Sequence, residues 1–240
     1  MIEPHRYLVP LDTTEEVDEG AADVALLPVG SYEQHGRYLP LATDTLVACA
    51  IANEIAAAYP VRRLPPLTVS CSHEHEGWAG TVSISSRTLA AVVDDIARSL
   101  HDVALVLVNG HGGNYVLANV VQEASVGAQR MALFPGAPDL QAAHTAAGID
   151  TPLDSDMHAG EIETSILLAS YPDVVRNGYP AADHLADDRR HMLTLGLKHY
   201  TRSGVVGRPS LASAAKGRDL LTSLTASFAD YHAVLTRQHE

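Results

Sequence analysis

Lysine is almost missing from this 240-residue sequence, which has only Lys198 and Lys216. Lysine and arginine together number 16 against 29 aspartates and glutamates, so the formal net charge is −13. Binding to nucleic acid or to an anionic membrane needs a basic face, and this composition argues against both partners. Two cysteines, Cys49 and Cys71, are too few for a disulfide framework, which is typical of a reducing compartment.

Long apolar runs and several familiar motifs are also missing. No run approaches the roughly 18 apolar residues of a membrane span, and the first twenty residues do not form a signal peptide. We therefore expect a soluble, cytoplasmic protein. The chain has no G-x-S-x-G elbow, no G-x-G-x-x-G and no GxxxxGK[ST], which argues against a serine hydrolase of that fold and against nucleotide binding. The 46% hydrophobic content is globular, and the length predicts one domain over residues 1–240.

Histidine, in contrast, is abundant, with 13 residues. Either most of these imidazoles are solvated, or several of them surround a metal ion. The position of each histidine relative to the predicted strands distinguishes these two interpretations.

Apolar strand patterns alternate with helical patterns along the chain. Strands are predicted over 24–29, 67–71, 81–85, 103–108 and 130–134, and helices over 44–59, 86–101, 115–127, 158–170, 183–201 and 217–238. Pro135–Met157 is rich in Pro, Gly, Asp and Thr, and it predicts a long loop of the kind that often carries function. The alternation predicts an α/β fold, three-layer α/β/α, with a mainly parallel central sheet covered on both faces.

Polar segments interrupt this apolar pattern at four places: Ser31–Asp44, Ser72–Gly80, Asn109–Asn114 and Asp156–Ser165. The first three follow predicted strands directly. Ligands of open α/β sheets bind beyond the carboxyl ends of the strands, so these loops are expected to converge on one crevice.

The residue types in these loops suit a divalent metal. Glu33 and His35 are two residues apart, so an extended backbone projects both to one side. Asp44 lies at the start of the next helix, and glycines frame His111. Carboxylate and imidazole ligands favour Zn, Mn or Fe over a thiolate site. A single Glu-x-His pair or an isolated HGGN turn is common in proteins that bind no metal. Here both are predicted at the same edge of the sheet, and this shared position favours a metal site.

Five segments together carry a family resemblance. LPVGSYEQHGRYLPLATD, GTVSI, NGHGGN, HAGEIETS and GRPSLASAAKG occur in this order between Leu27 and Gly217. The layout resembles the creatininase family of metal-dependent amidohydrolases, which includes formamide deformylases and mycofactocin-precursor peptidases. The resemblance implies a creatininase-like α/β/α fold, two divalent metal ions per chain and a homo-oligomer, often a hexamer.

The resemblance also implies roles for individual residues. Its metal ligands match Glu33, His35, Asp44 and His111, with Asp44 bridging the two ions. Glu163 matches a carboxylate that closes the site as a ligand, a general base or both, and His158 matches a histidine that shuttles a proton.

Five further residues lie near these motifs. Glu74, His75 and Trp78 fall where the family builds its pocket wall, so we expect them to contact substrate or to orient the ligands. His73 is either solvated or functional. Glu161 lies off the motif, and we expect it to be exposed.

Two departures from creatininase itself argue against creatinine as the substrate. Creatininase has a carboxylate ligand two residues after the histidine that matches His111, where this chain has Gly113. Its pocket tryptophans come from the segment that matches Pro135–Met157, which has none. The HGGN form is more similar to the deformylase and mycofactocin-peptidase relatives.

The resemblance implies hydrolysis of a C–N bond in a small or cyclic amide, a formamide or a short peptide, by a hydroxide that bridges the two metals. One alternative within the family is a peptidase of the mycofactocin-precursor type. A second is a non-catalytic, metal-binding homologue, and a third is a serine amidase that uses Ser213 and Lys216.

Overall fold

The computed structural model describes residues 8–126 and 130–236. Its sheet has four parallel strands in the order β2-β1-β3-β4: β1 Val24–Val29, β2 Arg62–Arg63, β3 Ala104–Asn109 and β4 Met131–Phe134. The helices are α1 Thr14–Gly20, α2 Thr43–Ala58, α3 Ser86–Ser99, α4 Val116–Val126, α5 Ala137–Ala146, α6 Glu161–Ser170, α7 Met192–Leu195 and α8 Ala214–Thr236. The predicted helix ends at Gly127 and Gln238 lie outside the described residues.

The sheet is buried on both faces, as the unbroken apolar runs of β1 and β3 predict for parallel strands. Val24 and Leu26 pack in one apolar cluster with α2, α5, α6 and α8. Ala25 and Leu27 pack in a second cluster with α3 and α4. A fully buried leucine stabilises the fold by about 1.5–3 kcal/mol, so the two clusters hold the layers together. The predicted three-layer α/β/α fold is confirmed.

Two strand predictions are wrong. The second strand of the sheet is Arg62–Arg63, and it pairs with β1 at the sheet edge. The segments 67–71 and 81–85 make only the single bridges Val29 to Leu67 and Tyr32 to Val82. The apolar pattern misled because a two-residue edge strand needs no apolar side chains, whereas the half-buried loop segments 67–71 and 81–85 carry apolar residues without joining the sheet.

The predicted loop Pro135–Met157 is also wrong, because it contains helix α5. Gly136 precedes this helix, and its backbone N–H donates to the Asp139 carboxylate at 2.8 Å. Pro138 lies in the first turn, where a helix tolerates proline because that N–H has no partner within the helix. The same Gly and Pro residues made the segment resemble a loop.

The predicted helix 183–201 is wrong as well, since only Met192–Leu195 within it is α-helical.

Glu161, which we expected to be exposed, is fully buried at the start of α6. Its carboxylate accepts hydrogen bonds from the backbone N–H and the hydroxyl of Thr151, at 2.8 and 2.6 Å. It also accepts one from Lys216, whose Nζ bonds to Asp150 at 2.7 Å as well. The expectation failed because the partner lysine lies 55 residues away in the sequence.

Lys216→Met is expected to destabilise the protein by about 3 kcal/mol at neutral pH, since it leaves the buried Glu161 without its cation. Burial acts to raise the pKa of Glu161, but the bonds from Lys216 and Thr151 outweigh it and lower that pKa. This stabilisation is therefore present above the ordinary glutamate pKa and is lost as the pH falls through the lowered value. Urea unfolding measured from pH 7 down into acid, past the lowered pKa of Glu161, tests both effects.

The other lysine provides the matched control for that measurement. Lys198 is exposed, and Lys198→Met should change the free energy of unfolding by no more than about 0.5 kcal/mol. A loss of stability that is equal in the two variants, or that persists in acid, would contradict the assigned role of the Lys216–Glu161 contact.

No helix within residues 8–126 and 130–236 combines the length and the apolar character that crossing a bilayer requires.

Candidate metal centre

The polar loops converge at the carboxyl edge of the sheet. The loop after β1 carries Glu33 and His35, and the loop after β3 carries His111. Asp44 lies in the first turn of α2, between the two loops. One Asp44 oxygen is 2.9 Å from His35 Nε2, and the other is 3.1 Å from His111 Nδ1 and 2.6 Å from the Ser31 hydroxyl. Asp44 therefore lies in contact with side chains of both loops.

Two glycines let α2 approach the strand ends closely enough to place Asp44 there. A Cβ at Gly30 would lie 2.3 Å from the Cα of Thr45, and a Cβ at Gly110 would lie 2.3 Å from the carbonyl oxygen of Asp44. Real Cβ atoms do not come so close to backbone, and these backbone atoms cannot move without shifting the helix. The start of α2 is thus seated in a notch between the ends of β1 and β3.

Helix α6 closes the cluster from the other side. Glu163, in its first turn, lies 3.9 Å from His35 Nε2 and accepts a hydrogen bond from the backbone N–H of Ala159. His158, just before the helix, is buried, and its ring centroid lies 4.2 Å from that of His35. The structure thus brings together all six residues for which a metal or proton-transfer role was predicted: Glu33, His35, Asp44, His111, His158 and Glu163.

Burial and mutual charge displace the pKa values of the carboxylates. Burial, reinforced by the Asp44 charge, raises the pKa of Glu33 to about 8. Burial likewise raises the pKa of Glu163 to about 7. Burial would raise the pKa of Asp44 too, but the facing imidazoles of His35 and His111 hold it well below its ordinary value.

The histidines separate into two kinds. Burial would lower the pKa of His35 and of His111, but the neighbouring carboxylates outweigh it and raise these values to about 9 and about 10. Burial, together with the charges of nearby histidines, lowers the pKa of His75 to about 3 and that of His158 well below its ordinary value. His158 is therefore neutral at pH 7.

The donor set fits divalent cations. Glu33 is fully buried, and neither of its oxygens accepts an aligned hydrogen bond from the part of the chain that the structure describes. A buried carboxylate without such partners is costly, and a cation offsets that cost. Among the residues that the structure describes, three groups have donor atoms within 4.8 Å of one another: Glu33–Asp44–His111, His35–Asp44–Glu163 and Glu33–His35–His158. The first two share Asp44, as the residues of a two-metal site often share a bridging carboxylate.

Gln34, which sequence reasoning missed, determines the tautomer of His158. The backbone carbonyl of Gln34 lies 2.6 Å from His158 Nε2, so that nitrogen carries the proton and donates it. His158 Nδ1 is then the nitrogen with the lone pair, and it lies 3.8 Å from a Glu33 oxygen. The Glu-x-His spacing drew attention to the residues on either side of Gln34 and gave no signal for Gln34 itself.

The three residues expected at a substrate wall lie in different surroundings. His75 is fully buried, with Nε2 3.1 Å from Glu33. Glu74 is mostly buried, with Oε1 3.4 Å from His111 Nε2. Trp78 is half-buried beneath Lys198, whose Nζ lies 5.6 Å from the ring centroid. His73, whose role was left open, is exposed.

A cavity of about 610 Å³ opens beside the cluster. Glu74 and Gly113 line it on the side of His111, and Tyr115, Leu193 and Lys198 line it further out. Ligand pockets commonly measure about 300–1,000 Å³, so this cavity has room for a ligand larger than a single small ring.

Comparisons with known proteins agree with this geometry. A family model described as creatininase, creatinine amidohydrolase, matches residues 12–231. The mycofactocin precursor peptide peptidase of Mycolicibacterium smegmatis is 34% identical over 218 residues, which cover 86% of this chain and 83% of that protein. The protein of the same name from Mycobacterium ulcerans is 36% identical over 217 residues, which cover 83% and 80%. The creatinine amidohydrolase of Pseudomonas putida is 28% identical, with 63% of this chain and 66% of that protein covered.

Solved structures share the fold. A creatininase structure described as the Mn form superposes with a TM-score of 0.71 at 23% identity, over 92% of this chain and 95% of that one. A crystal structure of creatinine amidohydrolase superposes with a TM-score of 0.74 at 22% identity, over 95% and 97%.

Proposed function

The chain belongs to the creatininase family and is a hydrolase that acts on C–N bonds; within that family, we propose that it is a two-metal amidohydrolase that cleaves a short peptide. The observation that carries the two-metal proposal is that Glu33–Asp44–His111 and His35–Asp44–Glu163 form two donor groups around one shared carboxylate. Zn, Mn or Fe would suit these oxygen and nitrogen donors.

Two bound divalent ions would lower the pKa of a water molecule from about 15.7 toward neutrality and polarise a substrate carbonyl. Hydrolysis breaks the C–N bond, adds the oxygen of water to the carbonyl carbon and delivers a proton to the leaving nitrogen. His158 is suited to carry that proton because its neutral ring has Nε2 fixed on the Gln34 carbonyl and Nδ1 turned toward the cluster. Glu163, 3.9 Å from His35 Nε2 at the same place, is the second group that could exchange a proton when it is not bound to metal.

A peptide substrate is supported by two observations. The relatives that are 34–36% identical to this chain include mycofactocin precursor peptide peptidases, whereas the Pseudomonas putida creatinine amidohydrolase is 28% identical. The cavity of about 610 Å³ beside the cluster has room for several residues of an extended chain. The segment 135–157, which has no tryptophan to stack on a small ring, also favours a peptide over creatinine.

The structure disfavours the serine-amidase alternative. Lys216 would have to act as a base, but its Nζ is held by Asp150 and Glu161, which raise its pKa. The Ser213 hydroxyl accepts a hydrogen bond from the backbone N–H of Lys216 instead of contacting its Nζ. The remaining alternative, a non-catalytic metal-binding homologue, is distinguished by assaying peptide hydrolysis in protein loaded with metal.

Purified protein is expected to contain close to two equivalents of divalent metal per chain, measured by inductively coupled plasma mass spectrometry. Peptide hydrolysis should stop on treatment with a chelator and return when zinc or manganese is added back. A serine-directed reagent should have no effect. Full activity in protein that has been stripped of metal would refute the proposal.

We also propose the cytoplasm as its compartment, because both cysteines are free thiols buried in the protein. We further propose a homo-oligomer, which is what the resemblance to the creatininase family implies.

A further inference from the structure

A single short turn contacts two of the candidate metal donors. The 3₁₀ turn His73–His75 follows the segment that bridges to β1, and two of its three side chains point into the protein. His75 contacts Glu33, and Glu74 contacts His111. Glu33 and His111 both belong to the donor group Glu33–Asp44–His111. His73, the first residue of the turn, remains exposed.

The orientation of His75 is determined by Gln34. The Gln34 side-chain amide donates to His75 Nδ1 at 3.0 Å, so the His75 proton is on Nε2, which faces a Glu33 oxygen at 3.1 Å. Gln34 is itself held at both ends, because its Oε1 accepts from the Gly36 N–H and its Nε2 lies 3.1 Å from the Gly204 carbonyl. A Cβ at Gly204 would lie 1.7 Å from that Oε1, so only glycine leaves room for this arrangement.

Glu74 reaches His111 through space that Gly113 leaves free. A Cβ at Gly113 would lie 2.1 Å from Glu74 Oε1 and 2.4 Å from His111 Nε2. That same Nε2 donates to the Cys71 carbonyl at 2.7 Å and also lies 3.3 Å from a Glu33 oxygen, whereas Nδ1 is the ring nitrogen that faces Asp44. A carboxylate or carbonyl behind a metal-binding histidine is the arrangement that usually fixes its ring and raises its basicity.

We propose that Glu74 and His75 are positioning residues of the metal centre: Glu74 orients His111, and His75, held by Gln34, orients Glu33. This inference rests on the proposed function, because it assigns the two residues to the metal and not to the substrate. A direct substrate contact by His75 is disfavoured because its side chain is 1% exposed and is enclosed by Gln34, Glu33 and His158.

The test measures zinc affinity without turnover, by competition of the metal-free protein with a chromophoric chelator at neutral pH. Glu74→Ala and His75→Ala are each expected to weaken zinc binding by about 10–100-fold, the usual effect of removing a partner of a metal ligand. His75→Gln, which keeps a polar side chain with an N–H group in the space beside Glu33, should recover part of the lost affinity.

Two exposed residues of the same loop give matched controls. His73→Ala and Glu76→Ala remove the same side-chain types within two residues and should leave the zinc affinity within about twofold of wild type. Thermal unfolding of the metal-free variants shows whether each is folded, and His75→Gln serves as the second measurement if His75→Ala does not fold.

The outcomes separate the inference from the proposed function. If Glu74→Ala and His75→Ala both bind zinc as tightly as wild type and show a raised KM for peptide, the turn is a substrate wall and the inference alone is overturned. A wild-type protein that binds no zinc would overturn the proposed function and the inference with it. Weakened zinc binding with an unchanged KM at saturating zinc supports the positioning role.

Discussion

Asp44→Asn is expected to abolish binding of both metal ions and to reduce peptide hydrolysis by at least about 10³-fold. The metal supplies several kcal/mol of transition-state stabilisation, and each 1.36 kcal/mol corresponds to a tenfold change in rate. Asp44 belongs to both donor groups, so an amide in its place weakens the binding of both ions at once. Asparagine keeps the shape of the side chain, so the change removes charge without opening a cavity. Metal analysis and a peptide-cleavage assay on the same preparation measure the two losses.

The same aspartate-to-asparagine substitution at an exposed position shows whether loss of a carboxylate charge by itself affects metal binding or activity. Asp173→Asn should retain two metal equivalents and full activity. A variant at Asp44 that is folded, as judged by its thermal unfolding, and still holds two ions would show that the shared carboxylate is not a ligand. Loss of one ion only would assign Asp44 to a single site and remove the bridge from the mechanism.

His158→Gln is expected to lower kcat by about 10²–10⁴-fold, the usual effect of losing a positioned proton carrier. The substitution should leave the metal content at two equivalents and change KM little, since His158 is assigned to proton transfer and not to binding. The neutral ring with Nε2 on the Gln34 carbonyl is what makes Nδ1 available, and glutamine has no basic nitrogen that could accept and release a proton in its place. Steady-state kinetics combined with metal analysis distinguishes proton transfer from ligation.

His191→Gln is the matched control, because His191 is exposed, and it should keep wild-type kcat. A different result at His158 would also be informative. Glu33, His35 and His158 form a third donor group, so loss of a metal ion in His158→Gln would make His158 a ligand and would refute its assignment as the proton carrier.

The sequence predicted the parts of this site that follow a pattern. The apolar runs of β1 and β3 located the strand ends, and the polar residues directly after them, such as Glu33 and His111, had to converge at the sheet edge. It did not predict contacts that depend on distant residues. Gln34 acts through Gly204, 170 residues along the chain, and Glu161 is buried only because Lys216 reaches it across 55 residues. No local periodicity encodes either contact.

The errors in the fold prediction have a similar cause. Strand β2 is two arginines whose place is set by pairing with β1, and not by side chains of their own. Helix α5 begins with Gly-Ala-Pro-Asp, residues that start a helix as readily as they form a turn, and its packing against α8 decides between the two. The prediction was reliable where burial alone determines the structure, and it failed where tertiary partners determine it.

The notch that Gly30 and Gly110 form under the first turn of α2 has a consequence for how this site tolerates variation. Neither residue has a side chain that could bind a substrate or an ion, yet a single methyl group at either one would press on the backbone that carries Asp44. A library of variants selected for activity would therefore reject changes at these glycines as strongly as changes at the candidate ligands. The positions that tolerate no substitution would then include the glycines that hold helix α2 in place as well as the candidate metal ligands.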